Sequence, residues 1–296
     1  MEKNMELRTI NYFIAVANEG NISRAAKVLH ISQPALSKQM SELESELNIQ
    51  LFIRTNRKIQ LTDEGEYFLK HSQEIVSLVD KTINNINRTE DIQGDVYIGS
   101  GETQAFNMIA KTMQNILKKH PKVKFHLFSG NADDIYSKMS NGLLDFSILI
   151  EPFETKDYDY LKLPFIDQWG VLMNRDSPLA NRKFVTPKDL VDKPLMMSNQ
   201  TSVKNIFNTW FGQPVDNLNI ISTYNLITNP SKMVAQGLGY AFTFEDLITP
   251  SEENNLEFVP LKPDLLVNLD LVWNKNPHFS KAADTFLNHF REDWQV

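Results

Sequence analysis

The pattern of apolar residues changes near residue 95, and this change limits the folds open to the chain. Before it, the apolar residues recur mostly at helical spacing. After it, short β-prone runs alternate with helical segments such as 106–119 and 133–141, a pattern typical of an α/β domain with a largely parallel sheet. The predicted strands cover residues 96–99, 123–128, 146–150, 170–173, 195–197, 219–222, 240–243, 258–260 and 269–273.

Two short helices separated by a tight turn are predicted near the N-terminus. They follow an apolar-rich helix at 11–18, and Ser23 is expected to cap the first of them, at 24–29. Ser32 is expected to cap the second, which has Pro34 in its first turn. Such a pair can place its second helix in the major groove of DNA when that helix exposes small polar and cationic side chains.

The second helix of the pair has two different faces. Gln33, Ser37 and Lys38 lie on one face, and side chains of these types can hydrogen-bond base edges or phosphates. Apolar residues at spacings of four, three and four occupy the other face, which predicts that it packs against the rest of the domain. These apolar residues are Leu36, Met40, Leu43 and Leu47.

Two β-prone runs at 51–53 and 59–61 predict a hairpin with a cationic tip. Such a hairpin can act as a wing that reaches phosphate or the minor groove. An ordinary helical subdomain with a solvated polar face would show the same periodicity and is the alternative. The candidate DNA-binding residues are Ser23, Arg24, Ser32, Gln33, Pro34, Ser37, Lys38, Arg54, Arg57 and Lys58.

A long helix without proline is predicted from Thr62 to about Asn87, followed by a polar linker at 88–94. Residues spaced alternately four and three along this helix form a short seam of the coiled-coil type, which predicts dimerisation. The seam consists of Phe68, Ser72, Ile75, Val79, Thr82 and Ile86, flanked by Val76 and Ile83.

Charge is distributed unevenly along the chain. The net charge at pH 7 is −7, but residues 1–61 carry +2 and the remaining residues carry −9. A basic N-terminal segment can approach DNA phosphates, while the acidic remainder of the chain resists non-specific binding.

The order and spacing of residues in the first 65 positions resemble the LysR-type transcriptional regulators. The matching segments are 7–13, Gly20-Asn21-Ile22-Ser23-Arg24-Ala25-Ala26, Leu29-His30-Ile31-Ser32-Gln33-Pro34-Ala35-Leu36-Ser37, Leu43-Glu44, 51–54 and 61–65. A looser resemblance continues at 142–145, 176–179, 185–190 and 237–239. Phe244 is a departure, because many family members have proline at that place.

The resemblance implies an α/β protein with an N-terminal winged helix-turn-helix, a dimerising linker helix and a C-terminal two-lobed effector domain like periplasmic solute-binding proteins. The expected domains are 1–61, 62–91 and 92–296, the last divided into lobe I (92–162 and 266–296) and lobe II (163–265). The expected partners are double-stranded DNA, a small-molecule effector, further copies of the chain in a homodimer or homotetramer, and RNA polymerase. The family favours the tetramer.

Polar residues follow the predicted strands at their carboxyl ends, where open α/β sheets bind ligands. Among them, Glu102 and Glu151 can meet a ligand's amino group, whereas helix capping is the alternative explanation for any one Ser, Thr or Asn. The candidate effector-binding residues are Ser100, Glu102, Thr103, Ser129, Gly130, Glu151, Asn199 and Thr201. The family resemblance implies inducer contacts at Ser100, Thr103, Ser129 and Thr201.

The sequence contains no pattern typical of catalysis or metal binding. It has no cysteine, which excludes disulfides, thiolate zinc sites and cysteine nucleophiles. It also lacks a G-x-S-x-G elbow, a P-loop, an H-E-x-x-H pair and a G-x-G-x-x-G loop. We therefore expect no catalytic residue, no metal site and no cofactor beyond the effector.

Two alternatives share the two-lobed fold. A solute-binding protein for transport would need a signal segment or lipid anchor, and an enzyme with an accessory N-terminal domain would need a catalytic constellation. The N-terminal residues lack the apolar stretch of a signal peptide, and no apolar run approaches the roughly 20 residues of a membrane span. We therefore expect a cytoplasmic protein with no membrane partner.

Overall fold

The structure is a computed structural model that describes residues 5–54, 59–86, 91–153 and 155–295. The chain divides into two compact units, Met1–Ile86 and Asn87–Val296. None of the helices in the described ranges combines the length and the apolar character of a membrane span.

The described residues of the first unit form four helices and a short hairpin. The helices are α1 (Leu7–Glu19), α2 (Ile22–Val28), α3 (Gln33–Leu47) and α4 (Asp63–Ile86), and the hairpin pairs β1 (Phe52–Arg54) with β2 (Ile59–Leu61). The predicted cap of α2 is wrong, because the side chain of Asn21 rather than Ser23 accepts the Arg24 amide at 3.0 Å. The predicted caps of α3 and α4 are confirmed: Ser32 accepts the Ala35 amide, and Thr62 accepts the Gly65 amide.

Aromatic rings join the helices of the first unit to its hairpin. Phe13 on α1 is fully buried, and its ring centroid lies 5.3 Å from that of Phe52 and 4.8 Å from that of Phe68 on α4. The buried side chains of α3 are Leu36, Met40 and Leu43, as its spacing predicted. The N-terminal half of α4 is therefore part of the core of this unit.

The predicted seam along α4 needs a correction at its first two positions. Phe68 packs on the core and Ser72 is fully buried, so neither is available to a second chain. Farther along the helix, Ile75, Leu78 and Ile83 are 43%, 41% and 60% exposed. These three exposed side chains form an apolar surface, and we call it the α4 surface.

The second unit is built on a nine-stranded sheet. Its strands are β3 (Gly94–Ser100), β4 (Val123–Ser129), β5 (Phe146–Ile150), β6 (Tyr158–Asn174), β7 (Leu195–Ser198), β8 (Ile220–Tyr224), β9 (Tyr240–Phe244), β10 (Leu256–Pro260) and β11 (Leu266–Asn274). Its α-helices are α5 (Phe106–Lys119), α6 (Ala132–Ser140), α7 (Pro187–Leu190), α8 (Thr201–Phe211), α9 (Thr228–Ala235) and α10 (Lys281–Trp294), and a 3₁₀ turn spans Val215–Asn217.

The strand order is β4-β3-β5-β11-β6-β9-β7-β8, and β10 pairs with β6. The outer pairs are parallel, but β5–β11, β11–β6, β6–β9 and β10–β6 are antiparallel. The prediction of a largely parallel sheet is therefore wrong at its centre. The reason is that β6 carries the chain from one half of the sheet to the other and β11 carries it back, so the two strands run in opposite directions.

Two hydrophobic cores divide this unit into two lobes. One core includes Ile98, Ile109 and Phe146, and the other includes Val171 and Phe207. We call the half that contains β3, β4 and β5 lobe I, and the half that contains β7, β8 and β9 lobe II. Because β6 and β11 belong to both halves, these two strands are the connection about which the lobes can move.

Candidate functional site

The exposed end of α3 carries half of the predicted DNA-binding residues. They are Ser32, Gln33, Pro34, Ser37 and Lys38. All are exposed except Ser37, which is half-buried. Lys38 Nζ lies 3.6 Å from a Glu42 carboxylate oxygen in an exposed pair. Exposed pairs of this kind contribute at most about 1 kcal/mol, so this lysine can exchange Glu42 for a phosphate.

Two further candidates, Ser23 and Arg24, are exposed in the first turn of α2. The Arg24 guanidinium donates to the backbone carbonyl of Glu19, and its Nε lies 3.4 Å from the Glu19 carboxylate. Arg24 therefore ties α2 to the C-terminal end of α1. Any phosphate contact by Arg24 has to compete with these two interactions.

The remaining candidates belong to the hairpin. Arg54 is the last residue of β1, but its side chain lies outside the described part of the structure. Arg57 and Lys58 also lie outside the described residues. The pairing of Phe52 with Leu61 fixes the base of the hairpin beside the buried Leu51.

A cavity of about 480 Å³ lies between the two lobes of the second unit, at the carboxyl ends of several strands. This volume is typical of sites for small organic molecules. Of the candidate effector-binding residues, Glu102, Thr103, Gly130 and Glu151 line it.

The other four candidates are not among the lining residues. The hydroxyl of buried Ser100 donates to the carbonyl of Gly101 at 2.7 Å, and Ser129 is exposed. Asn199 and Thr201 are exposed as well, although their neighbours Gln200 and Ser202 line the cavity.

In the described part of the chain, hydrogen bonds cross the cleft at three places. The Glu102 carboxylate of lobe I accepts the backbone amide of Ile227 at 2.8 Å and the hydroxyl of Thr228 at 3.3 Å, at the N-terminus of α9. Gln104 Nε2 donates to the carbonyl of Asp246 at 2.6 Å. In the opposite direction, the Gln200 side chain of lobe II accepts the Ala132 amide of α6 at 3.1 Å. We call these contacts the cleft bonds.

Sequence reasoning missed several residues that line the cavity, including Trp169 and Thr243. The rule that selected the other candidates could have identified Thr243, because this residue is near the carboxyl end of β9. Trp169 was not identifiable in this way, because it lies in the middle of β6, where it pairs with Phe244. Phe244 itself also lines the cavity, at the place where the sequence departs from the family.

Three carboxylates with shifted pKa values lie on or beside the connecting strands β6 and β11. Glu151 accepts a hydrogen bond from Asn268 at 2.9 Å and pairs with Lys162 at 3.1 Å, and these contacts lower its pKa. Burial and the nearby Glu151 raise the pKa of Asp270 to about 6. Burial likewise raises the pKa of Asp167 to about 6, against the opposing effect of a hydrogen bond from Thr103.

The raised pKa of Asp270 predicts how the second unit responds to pH. The folded state holds this proton to a higher pH than the unfolded chain, so the stabilising contribution is complete below about pH 4 and is lost as the pH rises through about 6. Asp270→Asn should remove this loss and raise the free energy of unfolding by about 1–3 kcal/mol at pH 8, and by about a third as much at pH 4.5.

Urea unfolding followed by tryptophan fluorescence measures this effect. All tryptophans lie in the second unit: Trp169, Trp210, Trp273 and Trp294. Asp192→Asn, at an exposed position of lobe II, is the matched control. If the free energy of unfolding of both variants depends on pH as that of the wild type does, the prediction of a raised pKa for Asp270 is wrong.

Two family models match the chain. The model of the LysR substrate binding domain matches residues 89–295, and the model of the bacterial regulatory helix-turn-helix protein, lysR family, matches residues 7–66. The chain belongs to the LysR family. It is a transcriptional regulator with a DNA-binding helix-turn-helix and an effector-binding domain. LysR-family proteins are regulators rather than enzymes, which excludes the transport and enzymatic alternatives.

Relatives support this assignment. HcaR, the Hca operon transcriptional activator of Escherichia coli K12, is 30% identical over 238 residues, which cover 79% of this LysR-family chain and 80% of HcaR. YvbU, an uncharacterised HTH-type transcriptional regulator of Bacillus subtilis 168, is 28% identical over 244 residues, which cover 81% of this chain and 82% of YvbU.

Solved structures of LysR-family regulators show the same fold. CbnR matches with a TM-score of 0.73 at 19% identity, over 99% of this chain and 100% of CbnR. Full-length BenM matches with a TM-score of 0.55 at 23% identity, over 98% of this chain and 97% of BenM. The predicted fold class is confirmed.

Proposed function

We propose that this LysR-type regulator binds an inverted-repeat DNA sequence as a homodimer or homotetramer. A small molecule held in the cavity changes how that DNA is bound, and no further cofactor takes part. Contact with RNA polymerase belongs to the proposal, because the similar HcaR is a transcriptional activator.

The observation that carries the DNA-binding proposal is the exposed first turn of α3. Its opposite face is anchored by fully buried side chains, and its cap Ser32 fixes the first turn, so Gln33 is presented at a defined place. Glutamine amides recognise adenine through two hydrogen bonds in the major groove. CbnR, which has this fold, has been solved in complex with its target DNA, at a TM-score of 0.71 to this chain.

The oligomer is supported by the α4 surface. Ile75, Leu78 and Ile83 lie on one helix and are exposed in the single chain, and an apolar stripe of this kind is buried when two helices pack together. Two copies would also supply two recognition helices, one for each half-site of an inverted repeat.

Effector binding is supported by the cavity and the cleft bonds together. The cavity has the size of a small-molecule site, and hydrogen bonds from both lobes meet beside it. A ligand can shift the arrangement of the lobes only by binding one arrangement better than another, and coupling free energies of about 1–3 kcal/mol are typical.

Replacing Gln33 with alanine tests the DNA-reading proposal. The preferred duplex is first selected from a random library, and affinities are then measured by fluorescence anisotropy. Gln33→Ala is expected to cost about 1–3 kcal/mol on the selected duplex, or roughly 5- to 150-fold in affinity, and little on random DNA. Gln73→Ala, an exposed glutamine on α4, should change neither affinity. If the wild-type protein binds selected and random duplexes equally, specific reading is excluded.

A further inference from the structure

The two strands that connect the lobes are irregular at one place. Asp270 of β11 pairs with Lys162 of β6, whereas Asn268 pairs with Ile166. Residues 163–165 of β6 therefore lie opposite a single residue of β11. Extra residues of this kind bend a strand locally and interrupt its ladder of hydrogen bonds. A movement of the lobes about β6 and β11 is easiest at this bulge.

Asp270 lies beside the bulge and forms a pair with another carboxyl group. Its partner across the sheet in β5 is Leu149, so Glu151, two residues farther along, has its side chain on the same face. Asp270 is fully buried, and neither of its oxygens finds a hydrogen-bond donor in the described part of the chain. The group within hydrogen-bonding reach is the Glu151 carboxylate. Because ionised carboxylates only accept, the two can bond only when one of them carries a proton.

The proton of this pair belongs to Asp270. Glu151 accepts a hydrogen bond from Asn268 and pairs with Lys162 at 3.1 Å, and these contacts lower its pKa. Burial and the neighbouring Glu151 raise the pKa of Asp270 to about 6. At low pH, Asp270 therefore donates to Glu151. Near pH 7.5 this bond is lost and two like charges are adjacent.

Other side chains of β6 on this face do not replace the lost proton. Lys162 is a cation, but it is already paired with Glu151. Tyr158 and Tyr160 alternate with Lys162 along the strand, and phenol groups are ordinarily neutral in this pH range. Burial raises the pKa of Tyr158 still further. An ionised Asp270 therefore has to compete with Glu151 for one ammonium group.

The helix α6 packs against the same face of the sheet and brings no charge to the pair. Its contacts there are the buried apolar side chains Ile135 and Met139. The charged residues of α6 lie elsewhere, because Asp133 and Asp134 are exposed and Lys138 lies over an aromatic ring at 4.6 Å.

We propose that the Asp270–Glu151 pair is a proton switch that sets the arrangement of the two lobes. With the proton in place, the hydrogen bond joins the end of β5 to β11 beside the bulge, and the cleft bonds are made, as in this structure. Loss of the proton leaves a buried charge without a donor beside a like charge, and bending of the bulge relieves this cost by admitting water. Ionisation of Asp270 therefore favours an open cleft. The switch concerns the effector-binding domain, and only its influence on DNA rests on the proposed function.

The cleft bonds provide the readout of this switch. The backbone amides of Ile227 and Ala132 donate to acceptors on the opposite lobe, so their hydrogen exchange reports the opening of the cleft. The amide of Ala283 is the matched reference. It lies at the N-terminus of α10 and donates at 3.1 Å to Ser280, which belongs to the same lobe, so opening of the cleft does not expose it.

Hydrogen exchange of the full-length protein, resolved to single amides, compares wild type with Asp270→Asn at the same pH. The asparagine keeps a donor for Glu151 and carries no charge, so it mimics the protonated form. At pH 7.5 the Ile227 and Ala132 amides are expected to exchange about 10-fold or more slowly in the variant, with an upper limit near 100-fold if the open form restores ordinary acidity to Asp270. At pH 4.5 the difference should shrink to a few-fold or less, because the wild type then carries the proton itself.

A second variant and a control complete the test. Glu151→Gln replaces the like charge with an amide that can donate to ionised Asp270, so it should also slow exchange of the cleft amides at pH 7.5. Asp192→Asn, at an exposed position of lobe II, should match the wild type. Equal exchange of the cleft amides in wild type and Asp270→Asn at pH 7.5 overturns the inference. An equal slowing at Ala283 also overturns it, because the effect would then be a general gain in stability.

DNA titrations of the same proteins separate this inference from the proposed function. Affinity for the selected duplex is measured at pH 7.5 by fluorescence anisotropy. If Asp270→Asn protects the cleft amides and binds DNA as the wild type does, the switch stands and the proposed coupling between cleft and DNA is wrong. If DNA binding is sequence-specific and the cleft amides ignore Asp270, the proposed function stands and the inference is wrong.

Discussion

Replacing Gly65 with alanine is expected to destabilise the N-terminal unit by about 3 kcal/mol. In most helices the same change stabilises by about 0.5–1 kcal/mol, because alanine loses less backbone entropy than glycine. Here the substitution is expected to destabilise the unit instead, because a Cβ at position 65 would lie 2.1 Å from the carbonyl oxygen of Leu51 and 3.2 Å from Leu61 Cδ2.

Hydrogen bonds on both sides hold the backbone of Leu51 in place. Its carbonyl accepts the Thr62 amide at 3.1 Å, and the Leu51 amide donates to a Glu44 carboxylate oxygen at 2.9 Å. The Leu51 side chain is fully buried in the same core. The added methyl group must therefore displace the start of α4 from the hairpin.

Limited proteolysis and hydrogen exchange of the first unit measure this change, while tryptophan fluorescence reports only on the second unit and should be unaltered. Glu66→Ala, at the exposed next position, is the control and should stay close to wild type. Equal protection of the Gly65→Ala and Glu66→Ala proteins would show that the close approach to Leu51 can relax.

Aspartates at Ile75 and Ile83 together are expected to dissociate the protein into monomers and to lower operator affinity by 100-fold or more. Both side chains belong to the α4 surface, and a buried pair of charges there would be uncompensated. The loss of DNA affinity follows because two linked DNA-binding domains bind about 10²- to 10⁴-fold more tightly than one.

Light scattering and fluorescence anisotropy provide the two readouts. The matched control is Gln73→Asp with Asn84→Asp, which adds the same charge at exposed polar positions of α4. An unchanged mass together with full operator affinity in the Ile75→Asp and Ile83→Asp protein would show that α4 does not hold the assembly.

The parts of the fold that were predictable from the sequence depend on local rules. The spacing of Leu36, Met40 and Leu43 identified the buried face of α3, and Ser32 marked its first turn. Resemblance then supplied the two-lobed architecture. The rule that ligands bind at the carboxyl ends of strands selected four residues that line the cavity.

The parts that were missed depend on pairing between distant segments. The first half of β6 has polar residues such as Asp159 and Lys162 between its apolar ones, and it becomes a strand by pairing with β11, more than 100 residues later. The place of Trp169 beside the cavity also depends on pairing between distant segments, because Trp169 pairs with Phe244. Ser23 failed as a cap because Asn21, two residues earlier, competed for the same role and already lay in extended backbone.

The carboxylate of Glu102 belongs to lobe I but caps α9, a helix of lobe II. Opening the cleft would leave the first turn of α9 uncapped, at a cost of about 0.5–2 kcal/mol. The empty protein is thus already biased toward the closed form by its own side chains. A ligand that prefers the open arrangement, or that competes for the Glu102 carboxylate, must offset this free energy, whereas a ligand that prefers the closed arrangement adds to it.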